Sequence, residues 1–236
     1  MKAQELWKQG KLEEAIESLG VELRSDPTDV QRRTFLFELL CFSGQFDRAE
    51  KQLDVVAQAS QEAGMGALLY RSDIHADRDR QAMFASGDFP TTVTPQPVAG
   101  TLNGNPFKVF VDADPRIGAR LEVFAAGQYT WIPFAHISSV QMQAPKRLRD
   151  LLWASAIVQT GPGFEGLELG EVLIPVLAPG SAQHTNPDVR LGRVTEWQGV
   201  DGLGEAPVGQ KLFLVDDEEF PILEVRELEL TPAAEA

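Results

Sequence analysis

Gly10-Lys11-Leu12-Glu13-Glu14-Ala15-Ile16-Glu17-Ser18-Leu19 returns in outline as Gly44-Gln45-Phe46-Asp47-Arg48-Ala49-Glu50-Lys51-Gln52-Leu53. Gly10 and Gly44, Leu12 and Phe46, Ala15 and Ala49, and Leu19 and Leu53 are each 34 positions apart. That spacing is the period of tetratricopeptide arrays, in which each repeat is a pair of helices. Leu12, Ala15, Ile16, Leu19 and Leu23 fall on one stripe of a helix, and Phe46, Ala49, Leu53 and Val56 repeat it. The glycine marks the tight turn between helices, where positive φ is needed. The small alanine lets paired helices come close. Pro27 closes the first unit, and Asp26 or Thr28 can cap the helix that follows. Val30 to Phe42 carries Phe35, Leu36, Phe37, Leu39, Leu40 and Phe42, so it is expected as a buried central helix. A third helical stretch, about Met65 to Ser86, does not repeat the pattern. Arg71, Asp73, Asp77, Arg78, Asp79 and Arg80 give it a mixed-charge outer face suited to ending an array.

The repeat region is therefore placed at residues 1–90. Pro90, Pro95, Pro97, Gly100 and Gly104 mark Gly87–Gly104 as loop, and the linker is set at 91–106. From there the period shortens toward two. Strands are expected at Phe107–Val111, Arg120–Phe124, Tyr129–Phe134, Ile137–Met142, Glu171–Leu177, Gly192–Trp197, Lys211–Val215 and Ile222–Arg226. One helix is expected at Pro145–Ala156, with proline in its first turn and Leu148, Leu151 and Leu152 on one face. Strands with few helices between them predict a mainly antiparallel α+β domain over 107–236. The fold class is thus multidomain α and β: a TPR-like helical repeat followed by that domain.

The net charge of −14 argues against a nucleic-acid surface, which needs a basic stripe. Residues 1–90 carry 11 basic and 16 acidic side chains, 91–195 carry 8 of each, and 196–236 carry 2 and 11. This acidic stretch reads as a solvated face, or as a docking surface for a basic partner. No apolar run approaches the ~20 residues of a membrane helix. The polar opening Met1-Lys2-Ala3-Gln4-Glu5 has no signal-peptide apolar core. Cys41 is the only cysteine, so neither an internal disulfide nor a cysteine zinc cage can form. A cytoplasmic protein is expected.

Little points to catalysis. Asp112 and Asp114 end an apolar strand, as in haloacid-dehalogenase-type phosphatases, and Asp216-Asp217 could imitate that family's later acidic pair. Pro115-Arg116 departs from that pattern, however, and the alternating βα units are missing; a strand-end turn is the plainer reading. His75, His136 and His184 lack ligand spacing. No G-x-S-x-G or G-x-G-x-x-G motif is present, and no cofactor or metal site is expected. Trp131, Trp153 and Trp197 read as core, or as anchors for a partner if they line a groove.

These residues resemble the ImpE family (TagJ or SciE-type proteins) of type VI secretion clusters. The resemblance runs through Asp112–Phe124, Gly127–Phe134, Leu148–Trp153, Pro175–Ser181 and Leu191–Trp197. Arg80-Gln-Ala-Met-Phe84 with Gly87 and Pro90 fits as well. Ala178 departs from the aromatic usual before Pro-Gly-Ser. The resemblance implies a non-enzymatic adaptor in the bacterial cytoplasm. It would bind the N-terminal helix of the contractile sheath's small subunit (TssB/VipA type), and so be linked to the ClpV-type AAA+ ATPase. A concave repeat surface suits an amphipathic helix. The residues expected to touch the partner are Arg32, Phe35 and Arg71 in the repeat groove, with Arg149, Asp150 and Trp153 as a second surface. Arg149 and Asp150 are also read as fastening their helix to the sheet.

Overall fold

The computed structural model describes residues 2–90, 98–161, 169–200 and 202–231. Five helices come first: α1 (Lys2–Lys8), α2 (Leu12–Ser25), α3 (Val30–Phe42), α4 (Phe46–Val56) and α5 (Gln61–Ser86). Both expected turn glycines take positive φ, 80° at Gly10 and 68° at Gly44. The expected stripes are the buried ones, Leu12, Ala15, Ile16, Leu19 and Leu23 on α2 and Phe46, Ala49, Leu53 and Val56 on α4. Asp29, and not the expected Asp26 or Thr28, caps α3, its side chain accepting from the Arg32 N–H, and that of Ser60 accepts from the Ala63 N–H to start α5.

Thirteen strands follow among the described residues, and every pairing between them is antiparallel. They are β1 (Ala99–Leu102), β2 (Asn105–Phe107), β3 (Phe110–Asp112), β4 (Arg120–Ala125), β5 (Gln128–Pro133), β6 (Ile137–Met142), β7 (Trp153–Thr160), β8 (Gly170–Pro175), β9 (Thr195–Val200), β10 (Gly204–Gly209), β11 (Leu212–Val215), β12 (Glu218–Pro221) and β13 (Glu227–Thr231). Eight form one sheet in the order β2-β1-β13-β6-β7-β8-β4-β5. A three-stranded sheet, β12-β11-β3, packs on its face, and β9–β10 is a separate hairpin. A one-turn helix, α6 (Pro187–Arg190), precedes that hairpin. No helix among the described residues is long and apolar enough to cross a membrane.

Two cores result, and β4 serves both. Leu121 and Val123 enter a core with Phe110, Phe134, Phe213 and Ile222, between the large and the three-stranded sheets. Phe124 instead joins Leu152, Trp153 and Leu191 in packing against the helices. Alternate residues of a strand point to opposite faces, so a strand covered on both sides reads as a near-continuous buried run.

Four local expectations need correction. Pro145–Ala156 is not a helix: Leu148–Leu151 makes one 3-10 turn, and Trp153–Thr160 is the strand β7. Pairing with β6 and β8 overrides the helical spacing of its leucines. Phe107–Val111 is broken at Lys108–Val109, where the chain passes from one sheet to the other and the Asp216 carboxylate accepts both N–H groups at 2.8 Å. Ile222–Glu224 is a 3-10 turn, and the strand comes later as β13. The stretch read as loop ends in β1, and its residues 91–97 lie outside the described residues.

Candidate functional site

The face of α5 expected to be a charged outer surface is turned inward at Asp77 and Arg80. Helix α5 packs on β4 and β5, which carries Arg80 to Glu122, both buried. Arg80 Nε donates to Glu122 Oε1 at 2.8 Å and Nη2 to Oε2 at 3.1 Å, a two-pronged pair. Nη2 also donates to the Leu177 carbonyl at 3.1 Å, holding the loop beyond β8. Lys211 Nζ lies 2.6 Å from Glu122 Oε2 and bonds Asp112 on its other side. Tyr129 donates its hydroxyl to Glu122 at 2.5 Å and accepts the Trp131 indole N–H. Burial alone would push Glu122 up, but Arg80 and Lys211 together hold it below the usual carboxylate range. Burial drives Asp112 above that range, with Lys211 opposing.

Asp112 and Asp114, the candidate phosphatase pair, are thus held inside the fold. Asp112 accepts the Asp114 N–H at 2.9 Å, and Asp114 grips Arg116 through Nε at 2.8 Å and Nη2 at 2.5 Å. Among the described residues no group of three or more His, Cys, Asp or Glu side chains could hold a metal ion.

The six residues expected to touch a partner fall into separate places. On α3, Arg32 pairs with Glu22 at 3.1 Å and Asp29 at 2.5 Å, while Phe35 lies edge-on to Trp7 with ring centres 6.5 Å apart. Arg71 on α5 pairs with Asp54 of α4 at 2.5 Å. Asp150 caps its 3-10 turn by accepting the Lys146 and Arg147 N–H groups at 2.8 and 2.9 Å. Arg149 lies 5.6 Å above the Tyr70 ring. Trp153 is 3 % exposed and donates its indole N–H to Asp77 at 2.9 Å. It therefore fastens strand to helix, and the Arg149–Asp150 turn sits at the same seam. Of the other tryptophans, Trp131 is half-buried and stacks on Phe89 with ring centres 5.6 Å apart.

Sequence reasoning missed Arg80, Glu122 and Lys211 as a unit. One signal was available: Glu122 interrupts Leu121-Glu122-Val123-Phe124, an apolar strand, and a carboxylate there has to find a cation if both faces are covered.

Two surface features stand out. Met65, Leu68 and Leu69, three and four positions apart at the start of α5, are 66 %, 65 % and 67 % exposed. A cleft of about 540 Å³ opens beside the other end of the helix, between α5, the loop after β8 and the β9–β10 hairpin.

The family model described as ImpE protein matches residues 104–229. A relative from Pseudomonas aeruginosa (strain PAO1), named "Type VI secretion system accessory component TagJ", is 32 % identical over 267 residues, covering 98 % of this chain and 92 % of the relative. Among solved structures, the crystal structure of protein VPA1032 from Vibrio parahaemolyticus superposes with a TM-score of 0.86 over 99 % of both chains. At 22 % identity that is a likeness of fold.

Proposed function

The chain belongs to the ImpE family, and from that premise we propose that it is a non-enzymatic accessory adaptor of a type VI secretion machine in the bacterial cytoplasm. Its helical half takes the N-terminal amphipathic helix of the sheath small subunit (TssB/VipA type), and in doing so brings the sheath to a ClpV-type AAA+ ATPase. The relative's name supports the accessory role. The 34-residue period supports a TPR-like helical half, which is a common mount for a partner helix.

The observation that carries the docking surface is the exposed row Met65, Leu68 and Leu69. Isolated apolar side chains on a surface need no explanation, but a row at helical spacing matches the apolar stripe of a second helix. Arg71, in the next turn, supplies a polar rim. The candidate surface thus keeps Arg71 from the expected groove and moves away from Trp153, which is buried. The non-enzymatic reading draws on the occupation of Asp112 by Lys211 and of Asp114 by Arg116.

The test is a titration of the full chain with a fluorescein-labelled peptide of the sheath subunit's N-terminal helix, followed by anisotropy. Saturable binding with Kd near ~1 µM is expected, and Leu68→Asp with Leu69→Asp should weaken it at least about tenfold, ~1.4 kcal/mol. Exposed apolar positions tolerate such changes, so circular dichroism should stay unaltered. Undiminished binding by the folded double variant would remove this surface from consideration; no binding to the unaltered chain would overturn the adaptor mechanism.

A further inference from the structure

Two guanidinium groups approach the Phe84 ring of α5. The central carbon of Arg116 is 4.7 Å from the ring centre and that of Arg80 is 5.7 Å from it. Each arginine is oriented from behind by a buried carboxylate, Asp114 for Arg116 and Glu122 for Arg80. Those bonds occupy Nε and Nη2 of both residues. Their Nη1 groups have no acceptor among the described residues, and the side chains keep 6 % (Arg80) and 17 % (Arg116) exposure. Both side chains line the 540 Å³ cleft. Two cations, each held by a buried carboxylate and each with an Nη1 donor that no described residue accepts, therefore line one cavity.

Gln198, Gly199 and Val200 of β9 line the cleft, and β9 pairs with β10 alone among the described residues. An unpaired strand edge offers alternating N–H and C=O groups to an incoming extended segment. Phe84 and Val200 are apolar parts of the lining, and Gln81 and Gln198 add amides that can bond a peptide group.

We propose that this cleft is a binding site for an extended acidic peptide segment of a partner protein, its main chain along β9 and a Glu or Asp carboxylate on the Nη1 groups of Arg80 and Arg116. This site lies at the opposite end of α5 from the apolar row and stands apart from the helix-docking reading. Asp114 and Glu122 offset most of the arginine charge, so recognition depends on two directed hydrogen bonds more than on a strong field. Asp77 faces the cleft too; burial pushes its carboxyl up, which lessens its repulsion of an acid. The net charge of −14 adds a general repulsion, so the bound acid has to be seated locally.

The experiment titrates the full chain with fluorescein-labelled hexaglutamate, with labelled hexaglutamine and inorganic phosphate as the other arms. Saturable binding of hexaglutamate is expected, weakened several-fold when salt rises from about 50 mM to about 500 mM. Hexaglutamine should bind at least about tenfold less tightly. Arg116→Gln should abolish binding, but it leaves Asp114 buried without its partner and can harm folding. Ala85→Trp is the second variant: Ala85 is exposed on α5 and lines the cleft, so the indole blocks it and spares both ion pairs. Loss of binding in Ala85→Trp at unchanged melting temperature supports the site. Equal affinity for hexaglutamine overturns the carboxylate contact. Binding that survives Ala85→Trp overturns the location. Absence of hexaglutamate binding overturns the proposal, and phosphate binding in that case marks a small-anion site instead.

Discussion

Glu122 gathers side chains from three separate parts of the fold. It receives Arg80 from a helix, Lys211 from the segment before β11, and Tyr129 from the neighbouring strand, at 0 % side-chain exposure. A buried ion pair is weak evidence for stability as a whole, but removing one partner leaves the other charge uncompensated in a low-dielectric site. Glu122→Gln keeps the shape and deletes the charge facing two buried cations. Unfolding free energy from urea titration should fall by about 3–5 kcal/mol. A loss under about 1 kcal/mol would mean that water or rearrangement compensates the cations, and the network would lose its structural role. Asp112 and Asp114 were weighed in the sequence as a catalytic pair against the plainer strand-end turn, because strand-end acids are common to turns and to active sites. The tertiary fold places Lys211 and Arg116 against them.

At the scale of elements, the glycines of the helical half fall into two physical classes. Gly44 has φ of 68°, and a Cβ there would meet Ala182 Cβ of the sheet domain at 3.2 Å. Gly20 is helical, and an added Cβ would find nothing within 4 Å. Gly44→Ala should therefore destabilise by ~1–2 kcal/mol, whereas Gly20→Ala should stabilise by up to ~1 kcal/mol, since it adds no strain and raises helix propensity. Opposite shifts in thermal melting check the pair, and a fall for both would count against the described turn at Gly44. The helices α2 and α4 were legible because their apolar period is written locally. Strand β7 was not, because Trp153-Ala-Ser-Ala-Ile-Val-Gln-Thr160 owes its conformation to neighbours on both sides.

Across the whole molecule, the seam between helices and sheet carries carboxylates that burial makes reluctant to ionise. Glu38 of α3 is pushed up to about 7 by burial against the opposing Arg149, and Asp73 of α5 to about 6. Their native values lie above the unfolded ones, so the folded chain holds extra protons in that range. Their contribution is accordingly full below the unfolded values of 4.5 and 3.8, is lost as pH rises from there through 6 and 7, and is flat above. Glu122 has the opposite sign, its contribution being lost as pH falls below its unfolded value of 4.5. Urea titrations should give a maximum near pH ~4–5 and a loss of ~1–3 kcal/mol by pH ~8. Glu38→Gln should flatten the alkaline decline; an unchanged slope would show that the seam does not set it.

The sequence by itself determined the helical half and its turns, the antiparallel character of the rest, and the resemblance that carries the family. Helix stripes, turn glycines and strand alternation are local patterns, each readable within about two turns or one hairpin. Tertiary structure alone decided which face of α5 turns inward, which acids meet which cations, and where the Lys108–Val109 crossing divides one apparent strand into two. Arg80 and Glu122 are 42 positions apart, and Asp112 and Lys211 are 99. Nothing in a local pattern ties such residues together; packing α5 on β4 and β5 does, because a carboxylate shut away from water is tolerated only where the fold delivers a cation to it.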